Sequence, residues 1–244
     1  MRHVVLDRWS RGTSAVHRRD PRAKIIALLV FLVVLATAHR ALPFLALALL
    51  LMLSAALRWA RLPVAGALAR SAVVLPFTAV FAVVSWMAGD AERGMALVIK
   101  AYLSALAVLL VVATTPLPSL LNTFEMAGVP RFLLEVVQFL YRYLFVISEE
   151  ARHMALAAAS RGASGRRALW SGLRFRAAAG ALAVLFTRSY ERAQNVHRAM
   201  LARGFEGRFV PLETFRLRPA DVAFALFGAL WPVALRLAIE GATR

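Results

Sequence analysis

The run FLLEVVQFLYRYLFVIS, residues 132–148, decides how this chain is arranged. It is apolar enough to be taken for a membrane span, though a little short of the ~20 residues that a crossing helix needs. Glu135, Gln138 and Arg142, however, stand at i, i+3 and i+7 and share one face of a helix. A crossing here would also carry every later arginine up to residue 218 to the far side of the bilayer, whereas Lys and Arg collect in cytoplasmic loops. The run is therefore read as an amphipathic helix in or against the inner leaflet.

The rest of the chain explains why a bilayer is the right solvent. Its 244 residues are 61% hydrophobic, with a mean hydropathy of +0.67. Globular chains are roughly 45–50% apolar, so this one has too little polar surface to cover itself in water. The net charge is nevertheless +17, carried by 28 Arg and 2 Lys. Arginine offers a planar fork for carboxylate or phosphate, and such a balance suits anionic lipid or an acidic protein partner. Five apolar runs argue against nucleic acid. With no cysteine, disulfides and thiolate chemistry are excluded. No cleavable signal peptide is expected, because the first 24 residues are polar and hold seven Arg or Lys.

The predicted spans cover residues 24–38, 43–57, 72–87, 95–115 and 220–239, the first two forming a tight hairpin. Asp20 is placed to cap the first helix and Pro21 to occupy its first position. Trp86 and Trp231 are expected near span ends, and Pro76 and Pro232 are expected to kink their helices. A loop with Arg58, Arg61 and Arg70 and the stretch 116–218, with fifteen arginines, share the basic character of the N-terminus. Each of the three remaining connections or ends has one basic residue. Five spans with the N-terminus inside put every basic segment in the cytoplasm of a bacterial cell, beneath its plasma membrane. The expected fold is all-α: residues 1–115 a basic segment and four transmembrane helices, 116–218 a cytoplasmic domain, 219–244 the last span.

Within that domain two long helices are predicted. Residues 131–160 lack Gly and Pro, and Val137, Leu140, Leu144, Ile147, Ala151, Met154 and Ala158 form a seam. A second helix, from about residue 174 to 202, has Leu182, Phe186, Tyr190, Ala193, Val196 and Met200 as its seam. Each would be roughly 45 Å long, and Ala157 to Ala159 and Ala177 to Ala179 would let the two cross closely. Both end in R-G-x-x-G-R, at Arg161–Arg166 and Arg203–Arg208, 42 residues apart, with Glu149 and Glu191 twelve residues before each leading arginine. Gly162 and Gly204 suit a left-handed helix stop. Helix capping accounts for one such tip, and attraction to anionic headgroups accounts for its charge. Neither accounts for the repeated spacing, which points to two copies of one contact surface.

At these residues the sequence resembles the T component of energy-coupling factor transporters, which carries two Ala-Arg-Gly motifs at the ends of two cytoplasmic coupling helices. Ala202-Arg203-Gly204 matches that motif, and Ser160-Arg161-Gly162 departs only at its first, still small, residue. DPRAK (residues 20–24), AGVPRFL (127–133) and YRYLFVISEEARHM (141–154) extend the likeness over most of the chain, and are most similar to the cobalt-type CbiQ branch. Biotin-type and shared T components are close relatives. The resemblance implies a non-catalytic coupling subunit of an importer for cobalt or nickel. Arg161 and Arg203 would each pair with acidic residues of one of two cytoplasmic ABC ATPase subunits, with Arg166, Arg208, Glu149 and Glu191 in support. A membrane substrate-binding subunit and a small accessory membrane subunit would complete the complex within the lipid bilayer.

The residues themselves offer no competing chemistry of equal strength. No G-x-x-x-x-G-K-[ST] and no H-E-x-x-H occurs, and the five histidines are scattered, so no catalytic residue, metal ligand or cofactor is assigned. His17 is taken for a solvated surface residue. Apart from Asp221 at a span entrance, carboxylates are missing from the spans, which places substrate recognition on another subunit. Two other readings stay open at this level. One is a membrane enzyme whose Arg142, Arg161 and Arg203 grip a phosphorylated lipid, with Glu149, Glu150, His153 or Glu191 as base. The other is a structural protein held to anionic lipid by its basic surface.

Overall fold

A computed structural model describes residues 9–10, 12–38, 42–163, 172–207 and 218–242, and among these it contains helices and no strand. The helices are α1 (Pro21–Thr37), α2 (Leu42–Trp59), α3 (Val64–Ser71), α4 (Leu75–Met87), α5 (Ala91–Thr114), α6 (Leu117–Met126), α7 (Arg131–Ala158), α8 (Gly172–Ala202) and α9 (Pro219–Ala242). Two compact units result, Met1–Thr123 with Glu213–Arg244, and Phe124–Leu212.

In the first unit, apolar stripes on three helices make the core. Phe31 and Leu35 of α1, Leu45, Leu49, Leu53 and Leu57 of α2, and Leu103 and Leu106 of α5 are all buried. Among the described residues three stretches are long and apolar enough to cross a membrane, Val64–Met87, Ala91–Thr114 and Pro219–Ile239; α7 is not among them. Their outer faces are bare, with Phe77, Phe81, Val84 and Leu237 exposed. A surface of this kind is stable against lipid, where apolar exposure costs nothing.

The first of these, the span predicted over residues 72–87, begins earlier than the sequence reading has it. Helix runs from Val64 with a 3₁₀ step at Ala72–Val74, so Arg70 lies on α3 and not in a loop. The step has a cause. Pro76 has no N–H for the Ala72 carbonyl, and the Leu75 N–H takes that carbonyl instead. Arg70 lies over the Trp9 ring at 4.0 Å, which holds its charge against the bundle. Helices α4 and α5 approach closely at Gly94, where a Cβ would lie 2.8 Å from the Ala82 carbonyl oxygen. Trp231 sits in the middle of α9, away from either end, whereas Trp86 is at the end of α4 as expected.

Both ends of α1 are tied to distant parts of the chain. Asp20 caps it by accepting the Arg22 N–H at 2.9 Å, and Pro21 is its first residue. The Asp20 N–H donates to Asp221 Oδ1 at 3.3 Å, and the same carboxylate takes the Arg218 N–H at 3.1 Å, capping α9. Lys24 is buried and donates to the Thr114 carbonyl at 2.8 Å and to Thr115 Oγ1 at 3.2 Å, closing the end of α5. At the other end, Lys100 donates to the Ala36 carbonyl at 2.9 Å and Arg236 to the Thr37 carbonyl at 3.0 Å. Helix α1 has no glycine stop, and these two cations satisfy carbonyls that a helix end otherwise leaves orphaned.

His17 departs from the solvated reading. It is half-buried and donates from Nε2 to the Trp9 carbonyl at 2.8 Å, while Nδ1 lies 2.7 Å from the Ser14 hydroxyl. Burial pushes its pKa below the ordinary 6.5, and Lys24 adds to the effect against two opposing backbone contacts.

Candidate functional site

The second unit contains the two predicted long helices and both tips. Helix α7 has 28 residues and α8 has 31, so they are ~42 and ~46 Å long. Their covered positions coincide only in part with the predicted seams, at Met154, Val196 and Met200. On α8 the less exposed positions are Ala181, Leu185, Ser189, Val196 and Met200, whereas Leu182, Phe186 and Tyr190 are exposed at 58–71%. On α7 the partly covered residues include Leu134, Phe139, Phe145, Glu150 and Met154, and Leu140 and Leu144 are exposed. Arg188 of α8 donates to Glu150 of α7, and this ion pair fixes which faces meet.

The two tips share a sequence and differ in backbone. After α8, Gly204 is left-handed (φ +77°), its N–H donates to the Leu201 carbonyl at 3.0 Å and the Phe205 N–H reaches back to Met200 at 3.0 Å. That bond pair is the Schellman stop, and it ends the helix at Ala202-Arg203-Gly204. Gly207 is also left-handed, at φ +81°. The expectation of the same stop at Gly162 is not met. Helix α7 passes directly into a π turn, Ala159–Ala163, so Ser160, Arg161 and Gly162 are still helical. The Ser160 hydroxyl donates to the Ala157 carbonyl at 2.9 Å within that turn. Such π turns are rare and concentrate at functional positions.

Arg161 and Arg203 are exposed, and neither has an ion-pair partner among the described residues. Other arginines on these helices are engaged: Arg131 with Glu125 at 2.6 Å, Arg152 with Glu149 at 3.1 Å, and Arg188 with Glu150. Glu149 also faces His153 Nε2 at 3.0 Å, so it serves its own helix and does not reach a tip. Glu191 lies in a polar cleft beside the Glu150–Arg188 pair, with Arg192 and Asn195. Arg166 and Arg208 lie outside the described residues. No group of three or more metal-ligating side chains occurs among the described residues. What this arrangement offers is two solvent-facing guanidinium groups at helix ends, suited to pairing with acids on another protein.

Residues 12–212 match the sequence profile of the CbiQ family, described as "Cobalt transport protein". An uncharacterised protein of Methanocaldococcus jannaschii is 31% identical over 124 residues, which is 50% of this chain and 43% of that protein. The cobalt transport protein CbiQ of Rhodobacter capsulatus is 33% identical over 107 residues, 44% of this chain and 41% of that one. The energy-coupling factor transporter transmembrane protein EcfT of Acidaminococcus fermentans is 31% identical over 232 residues, 84% of each. The chain thus spans less than half of the first two relatives and most of the third. With an all-helical build, lipid-compatible helices and a profile match from residue 12 to residue 212, the chain belongs to the CbiQ family of membrane components of energy-coupling factor transport systems.

Proposed function

We propose that this chain is the non-catalytic coupling subunit of an energy-coupling factor importer, in which the tips at Arg161 and Arg203 each engage one of two cytoplasmic ABC ATPase subunits. The observation that supports this most directly is the pair of exposed helix ends bearing the same motif, each with an arginine that has no acidic partner among the described residues. Closure of the ATPases around ATP would move the two ends, and α7 and α8 would pass the movement to a membrane subunit that holds the solute. Arg166 and Arg208 would support the contact directly, whereas Glu149 and Glu191 would act from within the helices that carry the tips. In this reading five helices cross the plasma membrane of a bacterium, with the N-terminus in the cytoplasm. The relatives' names favour cobalt, or the chemically similar nickel, over a vitamin as the solute.

A charge-reversal pair tests the contact. Arg203→Glu should weaken association with the ATPase by about 2–5 kcal/mol, as expected when one partner of a buried charged pair is removed. An acidic-to-Arg change on the ATPase should restore it. If Arg161→Ala and Arg203→Ala together leave co-purification and metal uptake unaltered, the coupling role is wrong.

A further inference from the structure

An apolar groove of about 760 Å³ opens on the surface of the first unit between α1, α2, α5 and α9. On α2 it runs from Ala48 to Trp59 and on α9 from Phe224 to Leu235, twelve residues in each case. From first Cα to last, the helical rise makes that ~16 Å, about half of the ~30 Å hydrocarbon core. Its polar lining is confined to one end, where Lys24 and Thr114 are already bonded to one another. On α1 the groove is lined only as far as Phe31, short of Ala36 and Thr37, which Lys100 and Arg236 hold, while on α9 it reaches Leu235.

Beside the mouth at the Lys24 end, Arg58 and Arg61 line a neighbouring shallow hollow with Leu62, Pro63 and Val64. Trp59 lines the groove and is 71% exposed, the position an indole takes at headgroup level. Arg58 and Arg61 stand on either side of Trp59 in the chain, both exposed and without an acidic partner among the described residues. Arg61 is also the one non-glycine among the described residues with a left-handed backbone, at φ 56°. Its N–H donates to the Arg58 carbonyl at 2.9 Å and the Leu62 N–H to the Leu57 carbonyl at 3.0 Å, the stop that glycine makes elsewhere in this chain. An arginine keeps this strained position although a glycine would relieve it.

We propose that this groove holds an acyl chain of an anionic phospholipid, whose phosphate sits against Arg58 and Arg61. The dimensions favour a lipid tail over a partner's helix, because a crossing helix needs contact through both leaflets and this groove serves one. The charge beside the mouth selects a negative headgroup.

The test uses the full chain in phosphatidylcholine vesicles carrying either brominated phosphatidylglycerol or brominated phosphatidylcholine at equal mole fraction. Trp59 and Trp231 line the groove, so their emission reports a brominated tail inside it; Trp59→Phe and Trp231→Phe assign the signal by difference. The anionic lipid should quench more strongly, with a preference of roughly fivefold per arginine. Arg58→Gln with Arg61→Gln should remove that preference while leaving total quenching. Ala48→Phe, which fills the groove, should reduce quenching of Trp231 by both lipids. Equal quenching by the two lipids would mean ordinary bilayer contact and overturn the proposal. So would a photo-crosslinker at position 51 that, in the assembled transporter, captures a partner helix and no lipid. Native mass spectrometry of the wild type gives an independent reading, in which release of phosphatidylglycerol and phosphatidylcholine in bulk proportion also counts against it.

Discussion

His17 occupies its pocket as a neutral imidazole, donating from Nε2 to Trp9 and facing the Ser14 hydroxyl with Nδ1. Gly12 is packed against the ring so tightly that a Cβ would lie 2.5 Å from Nε2. Because burial lowers its pKa below 6.5, the folded chain binds this proton less readily than the unfolded chain does. The contribution is therefore fully present above 6.5 and is lost as pH falls through the lower folded value. Thermal unfolding in detergent should show a midpoint that is flat above 6.5 and declines below it, and His17→Gln should flatten that decline. A decline of unchanged size in the variant would assign the effect to other groups. Nothing in the sequence GTSAVHRR marks His17 as covered, since the Trp9 carbonyl and the Arg70 side chain that shelter this region become neighbours only through the fold. Asp20 and Pro21 were legible for the opposite reason: capping is decided within three residues, before any tertiary contact.

At the scale of elements the two motif tips carry different backbone demands. Gly204 must be left-handed, so Gly204→Ala should destabilise that end by about 1 kcal/mol and redirect Arg203. Gly162 lies in a helical π turn, where alanine is a better helix former, so Gly162→Ala should be neutral or slightly stabilising. Affinity for the ATPase, measured for each variant, should fall for the first and hold for the second; equal losses would show that both glycines are needed for the contact itself. The sequence could not separate them, because R-G-x-x-G-R is the same string in both places. The seam of α8 was placed correctly at Val196 and Met200 and misplaced nearer the start of the helix, for a related reason. Large apolar residues on α8, Leu182, Phe186 and Tyr190, suggested the buried face, yet the covered face one residue earlier includes Ala181 and Ser189. Small residues give a weak hydrophobic signal while permitting the closest approach of two helices. The ion pair of Arg188 with Glu150 then fixes the rotation, and one charged pair among so many arginines could not be picked out by pattern.

For the molecule as a whole, α3 and α6 were not foreseen, but the helical class of the chain and the apolar character of its helices followed from composition and run length. What joins them did not. Residues 20–24, 114–115 and 218–221 meet in one polar knot at the end of the first unit, across up to 201 positions of chain. Hydrophobic burial provides little drive between helices in lipid, so a hydrogen-bonded knot of this kind can set which helices are neighbours. Asp221 is its centre: it is buried, accepts the Asp20 and Arg218 N–H groups and lies 3.7 Å from the Arg19 guanidinium. Asp221→Ala would leave those buried donors without their acceptor and remove one of the two carboxylates near Lys24, a change of the kind that costs about 3–5 kcal/mol. Asp221→Asn keeps an acceptor for the Arg218 N–H and should cost less. Lys24→Met removes the cation while filling the space with an apolar chain, so combining it with Asp221→Asn should be milder than the sum of the two single changes. Unfolding midpoints of the four proteins in one detergent form a complete cycle. Strict additivity would mean that Lys24 and Asp221 do not sense one another, and that the ends of α1, α5 and α9 are joined by separate hydrogen bonds and not by one coupled network.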